Sequence, residues 1–419
     1  MPKIISEAEL AALAEPGRLV FVPGSAGMPQ AFMDALYRQP ERTEGLQMLT
    51  SCIPGINRLD VDAMAPSARV TGLFMQRNLA EAQRERRYRA LPMSYAGFVR
   101  HLRENVEVDL VVIQVSPPDA SGRCSLGLAA EFTPIALGKS RRVLGLINHA
   151  VPRLRGAPSV ALDDLDYVCE ADTRLPVYQP ETDSASEAIS THIAPLIEDG
   201  CALQVGLGKV PTALMKLLSG RRKLRLHSGM LSDGLKDLAE AGALDLDFLH
   251  TACVLVGSDA LYRWVPDFAP LRVAGCENTH LPGAFTGLDR FIAVNAALEV
   301  DLFGQCNLEH ADGRAISGPG GAPDFARAAR QSEHGKSIVV LGATHTSGAG
   351  AVSRIVPSLD FQGMATLSRV DVDAVVTEYG IARLEGASVH ERAEALIGVA
   401  APSFRPELER AWKDIAARL

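Results

Sequence analysis

The sequence predicts an α/β protein made of two halves, each built on a mostly parallel sheet. Three observations carry that expectation. Short runs rich in Val, Ile and Leu recur along the chain: "RLVFVPG", "VDLVVIQVSPPD", "SRRVLGLIN", "KSIVVLG" and "VDAVVTEYG". They are apolar at nearly every position rather than at alternate ones, as in strands buried on both faces of a parallel sheet. Helix-like stretches lie between them. "SEAISTHIAPLIEDG" opens on serine and stops at glycine, and "DFARAARQSEHG" has Asp324 at its start. Oxygen-bearing side chains satisfy the free N–H groups at a helix start, and glycine takes the left-handed turn at its end. Finally, "FVPGSAGMPQAF" and "LQVGLGKVPTAL" echo one another, with Gly24 five residues before Pro29 and Gly206 five before Pro211. Proline suits a first helical turn, where its missing N–H would have no partner anyway. Two unrelated strand–turn–helix units would give the same strings, so the echo alone leaves both readings open.

A chain of 419 residues fits two domains of roughly 200 residues. The polar, proline-bearing stretch "YQPETDSASEA" (Tyr178 to Ala188) is where a boundary is expected, dividing 1–182 from 183–419. Hydrophobic residues at 47% and charged residues at 22% are a globular mix. A net charge of −8 argues against nucleic acid as a partner, which needs a basic face; a local basic pocket for a phosphorylated cofactor stays open. The seven cysteines are scattered without a CxxC pair, which suits reduced thiols better than a disulfide framework. The N-terminal stretch is acidic and lacks a signal-like apolar run, and no uncharged apolar segment approaches the roughly 20 residues of a membrane span. A cytoplasmic protein with no membrane partner is expected.

Four motifs bear on chemistry. "GLGKVP" (Gly206, Leu207, Gly208 to Pro211) follows a strand and precedes a helix. Its backbone N–H groups suit an anion or a developing oxyanion, and a plain tight turn fits as well. Pro211 occupies the third glycine of a dinucleotide fingerprint, which rules that motif out. "SGPGGAPDF" places Gly318, Gly320 and Gly321 ahead of a helix; such a cluster admits a ligand close to the backbone, or is simply a flexible loop. "AGCENTHLPG" groups Glu277, Asn278 and His280, a set capable of acid–base work or of nothing more than surface polarity. The ten histidines show no HxxxH or carboxylate cluster with ligand spacing, so no metal is expected.

Read together, these strings resemble the acetyl-CoA hydrolase/transferase family, which includes acetate and 4-hydroxybutyrate CoA-transferases. The resemblance runs in order through "VSPPDASGRCSLG", "INHAVPRLRG", "LIEDGCALQVGLGKVPTAL", "LHSGMLSDGL", "VNAALEVDLFGQCN", "SGPGGAPDFARAA", "SRIVP" and "VTEYGIARLEG". It implies two CoA-transferase-type α/β domains with the active site in the cleft between them, coenzyme A as cosubstrate, acyl-CoA and a small carboxylate as ligands, and a homodimer. It also implies covalent catalysis, in which a glutamate attacks the acyl-CoA, and the CoA thiolate returns to form a glutamyl-CoA thioester. Gly206-Leu207-Gly208 and Gly318 to Gly321 would supply oxyanion donors, each worth ~3 kcal/mol, with the second loop meeting the pantetheine arm.

One position departs from the pattern. The family reads His-Ser-Glu-Met before Ser/Gln-Asp-Gly; here His227, Ser228, Gly229, Met230, Leu231, Ser232, Asp233 and Gly234 stand in that order. Gly229 has no carboxylate to acylate and leaves room for a water. Three functions follow. Water activated by Glu277, His227 or His280 hydrolyses a thioester or an acyl C–C bond; or the nucleophile has moved to Glu277 and transfer persists; or the chain only binds a CoA ligand.

Overall fold

The computed structural model describes residues 1–348, 350–359 and 364–419. The chain forms two compact units. Met1–Gln179, Leu249–Ala284 and Ala315–Gly320 make the first; Pro180–Phe248, Phe285–Arg314 and Gly321–Leu419 make the second. Two separate segments therefore return to the first unit, with no marker in the sequence. Among the described residues no helix is long and apolar enough to cross a membrane.

In the first unit the strands are β1 (Lys3–Ile4), β2 (Leu19–Val22), β3 (Gln47–Thr50), β4 (Arg69–Gly72), β5 (Tyr88–Ala90), β6 (Val108–Val115), β7 (Ser140–Ile147) and β8 (Tyr167–Glu170). They lie in the order β1-β8-β7-β6-β2-β3-β4-β5, and every pairing is parallel. Every position of β6 except Asp109 is buried, as its continuous apolar run predicts. The chain leaves β2 on one side through β3 to β5 and returns on its other side with β6. Such a reversal of strand order opens a crevice at the carboxyl ends of the strands, the usual ligand position in open parallel sheets. Helix α1 (Gln30–Arg38) covers this part of the sheet with Phe32, Met33 and Leu36 packed into the core of Val20, Val22, Met48 and Val70. Burying side chains of that size contributes roughly 1.5–3 kcal/mol each. Helix α2 (Tyr95–Asn105) starts at Ser94, whose hydroxyl accepts from the Gly97 N–H. Strands His250–Leu255 and Leu271–Val273 pair in parallel and also belong to this unit.

In the second unit α3 (Ser184–Ile193) leads to β9 (Ala202–Val205), α4 (Lys209–Leu217), β10 (Arg225–Leu231), β11 (Phe291–Ala296), α5 (Ala322–Gln331), β12 (Lys336–Val340), β13 (Ala374–Thr377) and β14 (Gly380–Arg383). The strands run β10-β9-β11-β12-β13-β14, parallel up to β13 and antiparallel at the last hairpin. Here too strand order reverses at one strand, β9, which pairs with both β10 and β11.

The helix caps lie three residues before the expected ones. Asp183, not the Ser186 on which the stretch "SEAISTHIAPLIEDG" opens, caps α3; Ser186 instead closes its capping box. α5 begins at Ala322 with Pro323 in its first turn, because proline enters a helix most easily where no N–H is needed; Asp324 sits inside that turn rather than before it. The two echoing strings occupy equivalent places, since β2–α1 and β9–α4 both leave a switch-point strand. The prolines are not equivalent. Pro29 precedes α1, whereas Pro211 is the third residue of α4.

Candidate active site

In the second unit the glycine turn sits at the carboxyl end of β9. Gly206, Leu207 and Gly208 are all half-buried. Gly208 has φ +129° and caps α4, a conformation that other residues rarely adopt. A side chain on Gly206 would meet nothing within 4 Å, so this turn faces open space. β9 and β10 pair with Ala202 opposite Arg225 and Leu203 opposite Leu226. That register, continued, sets Gly206 beside Gly229. Ser228 fixes the strand end, its hydroxyl 2.8 Å from the Val205 carbonyl and 2.9 Å from the Met230 carbonyl, to which it donates. Gly229 is half-buried at this edge, one residue beyond the buried hydroxyl. His227 points elsewhere. It is 4% exposed, and its ring packs against Phe285, Phe291 and Phe325 at centroid distances of 5.4, 6.3 and 6.4 Å.

In the first unit the equivalent turn after β2 is tied to a buried carboxylate. Gly24 lies so close to the Ser51 carbonyl that a Cβ would overlap it. Its N–H donates to Ser51 Oγ at 2.9 Å, and that hydroxyl donates to Glu131 Oε2 at 2.8 Å. Ser25 is left-handed at φ 56°, and its N–H donates to Asn57 Oδ1. Glu131 is 1% exposed. Burial pushes its carboxyl up to about 7, against the opposing hydrogen bonds of Ser51, Gly24 and Ser25. Glycines of the second predicted loop divide between the units. Gly318 and Gly320 pack in the first: a methyl on Gly318 would overlap the Leu73 carbonyl, the Ser317 carbonyl accepts from Met75 N–H at 3.1 Å, and the Gly320 carbonyl accepts from Tyr95 N–H at 3.1 Å. Gly320 is left-handed at φ 56°. Gly321 opens the second unit's α5 as its cap.

Glu277 and His280 lie three residues and one short turn apart but face different surroundings. Glu277 lines a cleft of about 500 Å³ together with Arg155, Gly156, Arg272 and Asn278. Its carboxylate folds back onto Gly275, whose Cα leaves no room for a methyl. The cleft's other wall is the string ending at Gly156, whose carbonyl accepts from Val273 N–H at 3.0 Å. Arg153 holds that string to "SPPDASG", donating to Asp119 Oδ2 at 2.9 Å and to the Pro117 carbonyl at 2.7 Å. His280 is 1% exposed under the ring of Tyr95, with centroids 4.8 Å apart.

Gly206 and Gly208 thus follow the end of β9 while Gly229 lies in the neighbouring strand β10, and His227 and His280 are buried against aromatic rings. Glu131 was missed by sequence reasoning. Its only signal is a lone charge inside the apolar run "LGLAAEFTPIA", which becomes informative once the run is known to be fully buried. Glu299 and Asp301 brace a turn: Asp301 accepts from the Phe303 and Gln305 N–H groups at 3.0 and 2.9 Å, and Glu299 accepts from Asn307 Nδ2 at 3.0 Å. A larger cavity of about 790 Å³ lies in the second unit at the amino ends of β9, β11 and β12, the wrong end for the glycine turn. Its cations are already paired, Arg290 with Glu198, Arg330 with Asp373, and Lys336 with Glu385.

Two parallel sheets, each with a glycine turn leaving its switch-point strand, are the CoA-transferase type of α/β architecture. RipA from Yersinia pestis superimposes with a TM-score of 0.89 at 26% identity, over 99% of this chain and 98% of that one. The acetyl-CoA hydrolase/transferase N-terminal domain matches residues 1–178 and the C-terminal domain residues 257–412. A 4-hydroxybutyrate coenzyme A transferase from Clostridium kluyveri is 32% identical over 98% of this chain and 97% of its own length. The chain belongs to the acetyl-CoA hydrolase/transferase family and is an enzyme of that kind. Both chemistries occur among the relatives: an acetyl-CoA hydrolase from Neurospora crassa is 25% identical over 72% of this chain and 64% of its own length.

Proposed function

We propose that this enzyme hydrolyses an acyl-CoA, with water rather than a protein carboxylate taking the acyl group. The supporting observation is Gly229, a residue without a side chain at the carboxyl end of β10, where the family resemblance calls for a glutamate. A glutamyl anhydride cannot form on glycine, so the covalent route has no acceptor there. The N–H groups of Gly206 to Gly208 suit the tetrahedral oxyanion, whose charge develops only in the transition state. Glu277 is the general base of this reading. Glu277 is half-buried and lines a cleft, whereas His227 and His280 are buried, and a base must reach the proton it removes. Coenzyme A is then a product, and no carboxylate acceptor is required.

The test is acyl-CoA turnover without any acceptor, followed by intact-mass analysis during turnover. The expected outcome is release of free CoA and no covalent CoA adduct on the chain. Gly229→Glu is expected to gain CoA exchange between acyl-CoA and free carboxylates, with an adduct that appears in the mass spectrum. A wild-type chain that carries glutamyl-CoA while turning over rejects hydrolysis and restores the transferase reading with a relocated nucleophile.

A further inference from the structure

We propose that Cys253, Cys276 and His280 form a zinc site inside the first unit. Their sulfur and nitrogen ligand atoms all lie within 4.8 Å of one another. A tetrahedral zinc needs S···S and S···N separations of about 3.6–3.8 Å, so side-chain movements of roughly an ångström would close the set. All three residues are buried, at 1%, 0% and 1% exposure.

The backbone holds the ligands in place before any ion arrives. Cys253 lies in strand His250–Leu255, and its carbonyl accepts from Ala130 N–H at 2.9 Å. Cys276 N–H donates to the Glu131 carbonyl at 2.7 Å. One short segment, Ala130 and Glu131, therefore holds both cysteines through its main chain. The His280 N–H donates to the Cys276 carbonyl at 2.9 Å, placing cysteine and histidine one helical turn apart on one side. His280 Nδ1 lies 2.7 Å from Thr279 Oγ1. Metal-binding imidazoles characteristically donate one ring N–H to an oxygen so that the other nitrogen keeps its lone pair for the ion; Thr279 is that oxygen here.

Charge decides which ion fits. Binding Zn²⁺ displaces one proton from each thiol, giving two thiolates, a neutral imidazole and a divalent cation. The sum is zero, so the filled site carries no net charge into a dry interior where an isolated charge is very costly. No catalytic step depends on this site. The sequence reading expected no metal because it sought ligands close together in the chain; Cys253 lies 23 positions before Cys276 and only folding brings it in.

The experiment is elemental analysis of the full-length, reduced protein, then titration of metal-stripped protein with Zn²⁺ and with Cd²⁺ as the spectroscopic probe. One zinc per chain is expected, and Cd²⁺ is expected to raise a thiolate-to-metal charge-transfer band. Cys276→Ser should bind Zn²⁺ at least about tenfold more weakly, the scale on which even a lost outer-sphere partner is felt. Reduced wild-type protein that binds neither ion overturns the proposal, with no variant needed. So does zinc retained at full stoichiometry in the Cys253→Ser, Cys276→Ser double variant. Recovery of the two residues as a disulfide that excludes both ions overturns it as well.

Discussion

A methyl group on Gly275 would overlap the carboxylate of Glu277, so that carboxylate rests against its own main chain and faces the cleft with Arg155 and Asn278. Glu277→Gln preserves this packing and removes only the negative oxygen. Loss of a general base typically costs 10²–10⁴-fold in rate, and the expected result is a fall in kcat of about 100-fold or more with KM little changed. Steady-state acyl-CoA hydrolysis checks it; an unchanged kcat removes Glu277 from the reaction. Single residues were unevenly legible in the sequence. The close backbone approach that a glycine cluster advertises is present at Gly318, against the Leu73 carbonyl, and absent at Gly206, which has open space around it. Glu131 and Cys253 could not be read. Their significance is three-dimensional: one accepts from a serine 80 positions away, the other meets partners that no local spacing reveals.

Elements explain how the glycine turn of the second unit is held. Asp183 caps α3 through Ser186 N–H at 2.9 Å and also accepts from Lys209 Nζ at 2.8 Å. Lys209 is the first residue of α4, directly after Gly208, so this carboxylate links two helix starts at the turn. The ion pair with Lys209, then the Ser186 hydrogen bonds, holds its carboxyl at about 2. The sign follows: the contribution is present above the ordinary value of 3.8 and is lost as pH falls through about 2. Both side chains are about half exposed, at 48% and 55%, so solvent screening leaves the pair a minor share of the effect. Asp183→Ala, which also deletes the cap, is expected to cost about 1 kcal/mol. Denaturant melts at pH 7 and near pH 2 check this, with the difference from wild type expected to shrink at the lower pH. Strands were the most legible elements, because a run such as Val108–Val115 is apolar at all but Asp109 and Gln114, and only a doubly covered strand needs that. Helix caps were read three residues late, since in α3 Asp183, Ser184 and Ser186 all offer a capping oxygen, and in α5 Pro323 already occupies the first turn.

On the scale of the whole chain, the two returning segments were invisible in the sequence. Nothing in the composition of Leu249–Ala284 or Ala315–Gly320 separates them from their neighbours, and only the contacts they make on folding assign them to the first unit. A fragment ending at residue 182 keeps the sheet of β1 to β8 and its core. It loses the strand that pairs with Ala129, the turn bonded to Glu131, and the histidine under Tyr95. The expected outcome is near-native far-UV circular dichroism for the part retained, together with strong binding of a hydrophobic dye and a lowered Tm. A fragment that melts as sharply as the full chain and binds no dye would show those segments to be dispensable. All seven cysteines are buried, Cys52, Cys124, Cys169, Cys253 and Cys276 in the first unit and Cys201 and Cys306 in the second. Nature has thereby installed a set of dated seals. A brief pulse of alkylating reagent marks only the sulfurs uncovered at that instant, and peptide mapping of the marks reports which half of the molecule breathes first.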